Sequence, residues 1–330
     1  MFLSPELHFA IEQEIKNLDS NHLVRAYGEL SEHYRQRNFE KTSLRLSKEH
    51  CVAYAASRMP ATYQVAVQIF TELFQQLPSL SIERLLDIGA GPGTCAFALS
   101  SMHDFKKITL LEKEPLFLEL GKRLFRSFNN SAFQNAAWLL SDATATTEFS
   151  KSDLVIASYS LGEIAPTIRQ NVLDKCLKAA QKILIIIEPG TPQGYANLID
   201  MRMQLIAKGF FILAPCPHQN PCPIIKPDWC HFSKRLPRER FHRLIKNVDL
   251  GYEDEKYCYL IASKNPPVQP ALSRIIKKPM KRPGHIYVDL CTESGLRREI
   301  VPRSQKEKMR QAKKAQWGDI WNTSLNKQEF

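Results

Sequence analysis

The stretch "LLDIGAGPGT", residues 85–94, decides the fold. An apolar run carries Asp87 near its end and then breaks at Gly89, Gly91 and Gly93 before a helix-type segment begins. Glycines between a strand and a helix let the chain turn sharply and bring a ligand close to the backbone. Nicotinamide and flavin folds use similar loops, but the spacing here is G-x-G-x-G rather than G-x-G-x-x-G. Two further acids narrow the choice. Glu112 ends the next apolar run, "ITLLE", where a carboxylate binds ribose hydroxyls. Asp142, in "SDA" after the third run, is placed to accept from an adenine amine.

Outward from the loop, "RLLDIG", "ITLLE", "WLLSDA", "DLVIASYS" and "KILIIIEPG" are short β-type runs, with helix-type segments such as "RQNVLDKCLKAAQ" between most of them. Strands apolar on both faces, with helices between, predict a parallel sheet covered on two sides. "CYLIAS" (258–263) reads as a late edge strand. The D-x-G-x-G-x-G pattern with Glu112 and Asp142 resembles class I S-adenosylmethionine-dependent methyltransferases over residues 83–190. That resemblance implies a Rossmann-like α/β fold, with S-adenosylmethionine held by Asp87, Gly89, Gly91, Gly93, Glu112 and Asp142. Reacting groups in such folds lie beyond the carboxyl ends of strands four and five, here "SYSLGEI" and "IEPGTPQG". The first lacks the Asn/Asp-Pro-Pro-aromatic motif that clamps an exocyclic base amine, and no cysteine stands where a C5-pyrimidine nucleophile belongs. Tyr159, Ser160, Glu163 and Glu188 are candidate pocket residues. None has a general-base partner visible in sequence, so no residue is assigned as catalytic.

The chain has 330 residues and is 44 % apolar, which suits one large domain with additions or two domains. No run is apolar over the length of a membrane span. The start, "MFLSPELHFAIEQEIKNLDS", carries Glu6, Glu12 and Glu14 and no basic leader, so a cytoplasmic protein is expected. Ser4 as N-cap and Pro5 at the first position predict a helix there, and residues 1–80 read as a helical cap interrupted at Pro60. A methyltransferase-like domain follows at 81–264, with a cysteine-rich insertion at 214–233. A proline-punctuated linker is expected at 265–284, then a small basic β module and tail at 285–330. In that module "HIYVDLCTESGLRREIVPRS" predicts a hairpin turning at "TESG". Net charge is +11, and residues 271–330 hold 14 Lys and Arg, Lys327 the last of them, against six Asp and Glu. An excess so placed predicts a polyanionic partner.

The eight cysteines do not suit a disulfide framework in a reducing compartment. Cys51, Cys95, Cys176 and Cys258 stand alone among apolar or helical residues and read as small hydrophobes. "CPHQNPCPIIKPDWCHF" (216–232) is different: it sets Cys216, Cys222 and Cys230 in a segment too polar and proline-rich to form its own core. Pro215, Pro217, Pro221, Pro223 and Pro227 stiffen it and remove backbone donors. A bound metal would supply the free energy it lacks. Zinc would take the three cysteines with His218 or His231, whereas an iron–sulfur cluster wants a fourth thiolate.

"EPGTPQG", then "CPHQNPCP", then "DWCHF", then a late "VDLC…G…R…VPRSQ" and a Trp-Gly-Asp near the end resemble the mitochondrial small-ribosomal-subunit methyltransferase-like family and its bacterial relatives. The resemblance implies a methyltransferase fold that acts on small-subunit ribosomal RNA, either as a methyltransferase or as a non-catalytic assembly factor. It also implies a [4Fe–4S] cluster on four cysteines. Cys216, Cys222 and Cys230 match the first three and Cys291 the fourth, with Cys258 as the rival.

Overall fold

The computed structural model describes residues 3–36, 44–268 and 271–321. The end of the expected basic tail, with Lys327 and Glu329, lies outside them. The N-terminal helices are α1 (Pro5–Lys16), α2 (Ser20–Gln36), α3 (Lys48–Ser57) and α4 (Met59–Gln76). Next come β1 (Arg84–Ile88), α5 (Thr94–Ser100), β2 (Lys107–Glu112), α6 (Pro115–Phe125), α7 (Ser131–Gln134), β3 (Ala137–Leu140), β4 (Ser152–Ser158) and α8 (Pro166–Ala179). These are followed by β5 (Ala180–Pro189), α9 (Pro192–Ala207), β6 (Phe211–Ala214), β7 (Phe232–Pro237), α10 (Arg240–Lys246) and β8 (Tyr252–Ser263). Last are β9 (Ser273–Ile275), β10 (Met280–Arg282), β11 (His285–Thr292), β12 (Gly295–Pro302) and α11 (Lys306–Lys314). The chain divides into two compact units, Met1–Gln181 with Lys234–Glu255, and Lys182–Ser233 with Lys256–Phe330.

In the first unit β1 lies parallel between β2 and β4, and β2 pairs in parallel with β3. Leu85 to Ile88 are all buried, as a strand covered on both faces must be. Asp87 sits within that apolar run. The N-terminal helices belong to this unit. Ser4 caps α1, its Oγ accepting from Leu7 N at 3.3 Å, and Pro5 opens the helix. Arg123 donates to both carboxylate oxygens of Glu14, at 2.7 and 3.0 Å. Arg58 likewise grips Glu255 at 3.0 Å through both amino groups.

In the second unit β8 runs antiparallel to β5 and to β6, with Ile185 opposite Ile261 and Ile212 opposite Ala262. The strand expected at the edge is thus interior, and Tyr257–Ser263 are all buried. A parallel order 3-2-1-4, and a late strand that returns antiparallel beside the fifth, are those of a class I methyltransferase. Beyond β8, β11 pairs antiparallel with β10, β12 and β9. Part of the expected linker is therefore sheet. Pro279 and Pro283 do not mark a flexible tether but bracket β10, a three-residue edge strand, where a missing donor costs nothing to the ladder. The hairpin turns where expected, with Thr292 opposite Gly295.

Ile286, Val288 and Leu290 alternate inward on β11 and pack with Ile275, Val301, Met309, Ala312 and Trp321. The "WGDIW" stretch closes this core by running beside β9. Ile275 N donates to Asp319 O at 3.0 Å, and Trp321 N to Ser273 O at 2.9 Å. Trp321 is 1 % exposed, and its indole N–H finds Glu299 at 3.1 Å. Cys291 is buried out of phase with the apolar alternation, so its side chain lies on the opposite face of β11. Among the described residues no helix is long and apolar enough to cross a membrane. Trp321→Ala should cost about 3–5 kcal/mol, the usual loss for a large buried aromatic. A urea unfolding curve with an unshifted midpoint would show that this tryptophan is not a core residue.

Candidate functional site

The glycine loop leaves β1 with φ of +67° at Gly89, +54° at Gly91 and +88° at Gly93. Side-chain-bearing residues resist that region, so glycine is dictated by the backbone path. The two outer glycines are also crowded. A Cβ on Gly89 would stand 2.5 Å from Ser160 Cβ, and one on Gly93 would stand 2.6 Å from the Phe125 ring. At Gly91 nothing lies within 4 Å, so this residue faces open space. Glu112, at the end of β2, reaches into the loop. Its carboxylate accepts from Gly91 N at 2.7 Å and from Glu114 N at 2.9 Å. A carboxylate has about four lone-pair sites, so capacity remains for ligand hydroxyls.

Asp87 and Glu112 are buried to 1 % and 7 % exposure, and Asp87 Oδ1 has no hydrogen-bond partner among the described residues. Burial first, then the neighbouring Glu112, push the Asp87 carboxyl up to about 7. Burial also raises Glu112, opposed by the donors from Glu114 and Gly91. Asp142 stands apart from this group, exposed after β3, and accepts from Thr144 N and Oγ1 at 2.7 Å each. Those bonds hold it below its usual range. Ser160 donates to Ile88 O at 2.9 Å, so it braces the loop. Tyr159 has φ +54°, a strained value for a residue of its kind, at the carboxyl end of β4. Glu163 is exposed in a 3-10 turn, and Glu188 is buried in β5.

The cysteine segment is built into the second unit by side-chain-to-backbone bonds that run in both directions. Gln219 exchanges two bonds with Ile212, at 2.9 and 2.8 Å. Trp229 Nε1 donates to Gly190 O at 3.1 Å, and its ring stacks on His231. Arg202 donates to His218 O at 2.8 Å, and Arg274 to Pro215 O at 2.9 Å. Cys216, Cys222, Cys230 and Cys291 line one cavity, with Cys258 also in its wall. Tyr195 Oη is 3.1 Å from Cys222 Sγ, and His218 Nε2 is 3.4 Å from Cys291 Sγ. The Cys258 thiol is engaged elsewhere, donating to Pro189 O at 3.4 Å.

Burial, and then the nearby Cys216 and Cys222, push the Cys291 thiol up to about 12. Burial and the surrounding thiols also raise Cys230. Buried thiols of this kind ionise only if a positive group compensates them. Two permanent cations are present, since Arg202 and Arg274 are both 2 % exposed and line the same cavity. Among the described residues no three His, Cys, Asp or Glu side chains converge at the spacing of a single ion.

The sequence pointed to the glycines, the two acids and the four cysteines, but not to Arg202, Arg274 or Tyr195. Arg202 had a signal. Leu198, Met201, Arg202 and Leu205 share the i, i+3, i+4, i+7 face of α9, so an arginine occupies an apolar position.

Fold and loop define a class I methyltransferase architecture. The chain belongs to the family described as mitochondrial small ribosomal subunit Rsm22, whose model matches residues 48–322. It is 24 % identical over 287 residues to the human "Ribosome assembly protein METTL17, mitochondrial", covering 82 % of this chain and 62 % of that protein. It is 25 % identical over 339 residues to the Schizosaccharomyces pombe "Rsm22-cox11 tandem protein 2, mitochondrial", covering 86 % and 44 %. The chain therefore spans less than two thirds of the length of these relatives. Among solved structures it is similar to magnesium protoporphyrin IX methyltransferase from Synechocystis, at 13 % identity and a TM-score of 0.41 over 75 % of this chain and 98 % of that one. That likeness is too distant to add to the assignment.

The expectation of a cytoplasmic protein does not stand, because the family and these two relatives are described as mitochondrial. The acids behind that expectation sit on α1, a packed helix whose Glu14 is tied to Arg123.

The buried carboxyl of Asp87 gives a pH test. In the unfolded chain it titrates near 3.8 and in the fold near 7, so between these values the folded state holds the extra proton. Stability from this group is full below about pH 4, falls as pH rises through the window, and levels off above about 7. At about 1.4 kcal/mol per pKa unit the fall amounts to a few kcal/mol. Asp87→Asn should flatten this part of the curve of melting temperature against pH, and an identical decline in both proteins would refute the assignment.

Proposed function

We propose that this chain is an S-adenosylmethionine-binding, methyltransferase-like protein that works on ribosomal RNA in assembly of the small ribosomal subunit. The observation that carries the cofactor assignment is the open space in front of Gly91, with the Glu112 carboxylate bonded to that residue's N–H. Asp87, Gly89, Gly91 and Gly93 shape the loop, Glu112 holds the ribose, and Asp142 takes the adenine amine. Membership of the Rsm22 family and the name of the human relative, a ribosome assembly protein, support the partner.

Gly91→Arg would fill the open space and should weaken S-adenosylmethionine binding at least about tenfold, or 1.4 kcal/mol. Unchanged affinity by calorimetric titration would defeat the cofactor site. Methyl transfer from labelled cofactor to purified small subunits separates a methyltransferase from an assembly factor that only holds RNA. The human relative is named for assembly, which favours the second role.

Cys216, Cys222, Cys230 and Cys291 fit a [4Fe–4S] cluster, which takes four thiolates. When bound it would supply the link between the 216–230 segment and β11. The fit rests on one shared cavity, a buried thiol at Cys291 with three half-buried ones facing it, and two buried guanidinium groups beside them. Arg202 and Arg274 would offset the negative charge of a four-thiolate cluster. Cys291→Ser should abolish iron binding in anaerobically purified protein and loosen the β9–β12 module, whereas Cys258→Ser should retain iron. The reverse pattern would make Cys258 the ligand, and zinc in place of iron would sink the cluster.

A further inference from the structure

The C-terminal module has a second concavity, on the side of β10 and α11. Its floor holds Ile286 and Met309. Its rim is Lys281 and Arg282 of β10, His285 of β11, Arg303, and Lys306 and Lys313 of α11. No carboxylate lines it. The helix contributes its residues by period: 306, 309 and 313 are i, i+3 and i+7, one face of α11.

The other basic residues of the module are largely neutralised. Arg297 and Lys308 pair with Glu299, Arg298 with Asp289, and Arg310 with Glu307. Lys281, Arg282, Arg303, Lys306 and Lys313 form no ion pair among the described residues. Like charges gathered around one hollow repel, and leaving them unpaired lowers stability unless an anion comes. Two further groups face the same need. His285 Nε2 is buried with no hydrogen-bond partner among the described residues. At the start of α11, Gln305 makes no side-chain cap bond, so the helix's amide end beside Lys306 lacks an acceptor from its cap residue, although Glu307 lies in the first turn.

We propose that this cleft binds the phosphodiester backbone of RNA. Five cations spread over β10, the turn after β12 and α11 suit a run of phosphates better than one small anion, and the apolar floor suits the sugar or base between them. The choice of RNA rests on the assembly function proposed above, while the anion site rests on the cleft alone. Backbone contacts position a nucleic acid without reading its sequence, so the cleft would hold many sequences alike.

The test is anisotropy of a labelled single-stranded RNA oligonucleotide with the full chain over a range of salt. Lys306→Gln with Lys313→Gln should weaken binding at least about fivefold and reduce the log–log salt slope by about 0.7 per lost phosphate contact. Lys281→Gln with Arg282→Gln should do the same from a different element, which guards against a local folding defect in α11. Arg297→Gln with Arg298→Gln removes the same charge from the paired face and should change affinity less than about twofold. Equal loss in all three pairs would overturn the cleft in favour of diffuse attraction. Cleft-sensitive binding to phosphatidylserine vesicles without binding to RNA would overturn the ligand. S-adenosylmethionine titration of the same proteins separates the two proposals. Cofactor binding without RNA binding overturns this inference alone, whereas loss of both in the wild type overturns the proposed function with it.

Discussion

Arg274 is a guanidinium buried to 2 % exposure, and no pH within reach of a folded protein discharges it. It donates to Pro215 O at 2.9 Å and to Gly318 O at 2.8 Å. One side chain thus joins the start of the cysteine segment, strand β9 and the Trp-Gly-Asp stretch. Charge-assisted bonds are among the stronger ones, and a carbonyl left bare in this interior would cost its full desolvation. The segment at 216–230 has almost no apolar surface to fold with, so its shape depends on such donors from outside. Arg202 extends the same principle to His218 O, while the segment's own Gln219 and Trp229 donate outward to Ile212 O and Gly190 O. Polar backbone is held in place by long side chains that could not leave without stranding it.

The glycine loop follows a different logic. There the backbone is bent into positive φ, and what stabilises it is a carboxylate accepting from Gly91 N. That carboxylate and Asp87 are two acids in one buried place, each making ionisation harder for the other. A site that keeps partly desolvated acids against open space is poised to bind something with hydroxyls or positive charge. The strain at Tyr159, at the end of β4, belongs to the same neighbourhood of the fold, next to the Ser160 that braces the loop.

Much of this was legible in the sequence because the relevant signals were local. "LLDIGAGPGT" states a strand, a turn and a helix within ten residues, and β1 and α5 fall there. "TESG" between two apolar alternations states a hairpin, and Cys291 stands out by falling off that alternation. What was missed depended on distant partners. "CYLIAS" reads as an edge because nothing in it announces that β6 pairs on its far side. The prolines at 279 and 283 looked like a linker, since their compatibility with a short edge strand appears only once β11 is beside it. Arg274 has no period or motif to mark it, and its burial follows from three segments that meet around it.

The two units interleave along the chain, and this sets the order in which they can form during synthesis. The first needs residues up to Glu255, so it cannot close until the cysteine segment has already been made. Chains emerge from the N-terminus at about 5–20 residues per second, slowly compared with local folding. Cys216, Cys222 and Cys230 therefore leave the ribosome well ahead of Cys291, the thiol that faces them across the finished cavity. During that interval three reactive groups stand in a segment with no core of its own. The arrangement that makes a late strand complete an early loop also creates a period of chemical exposure in the life of every new molecule.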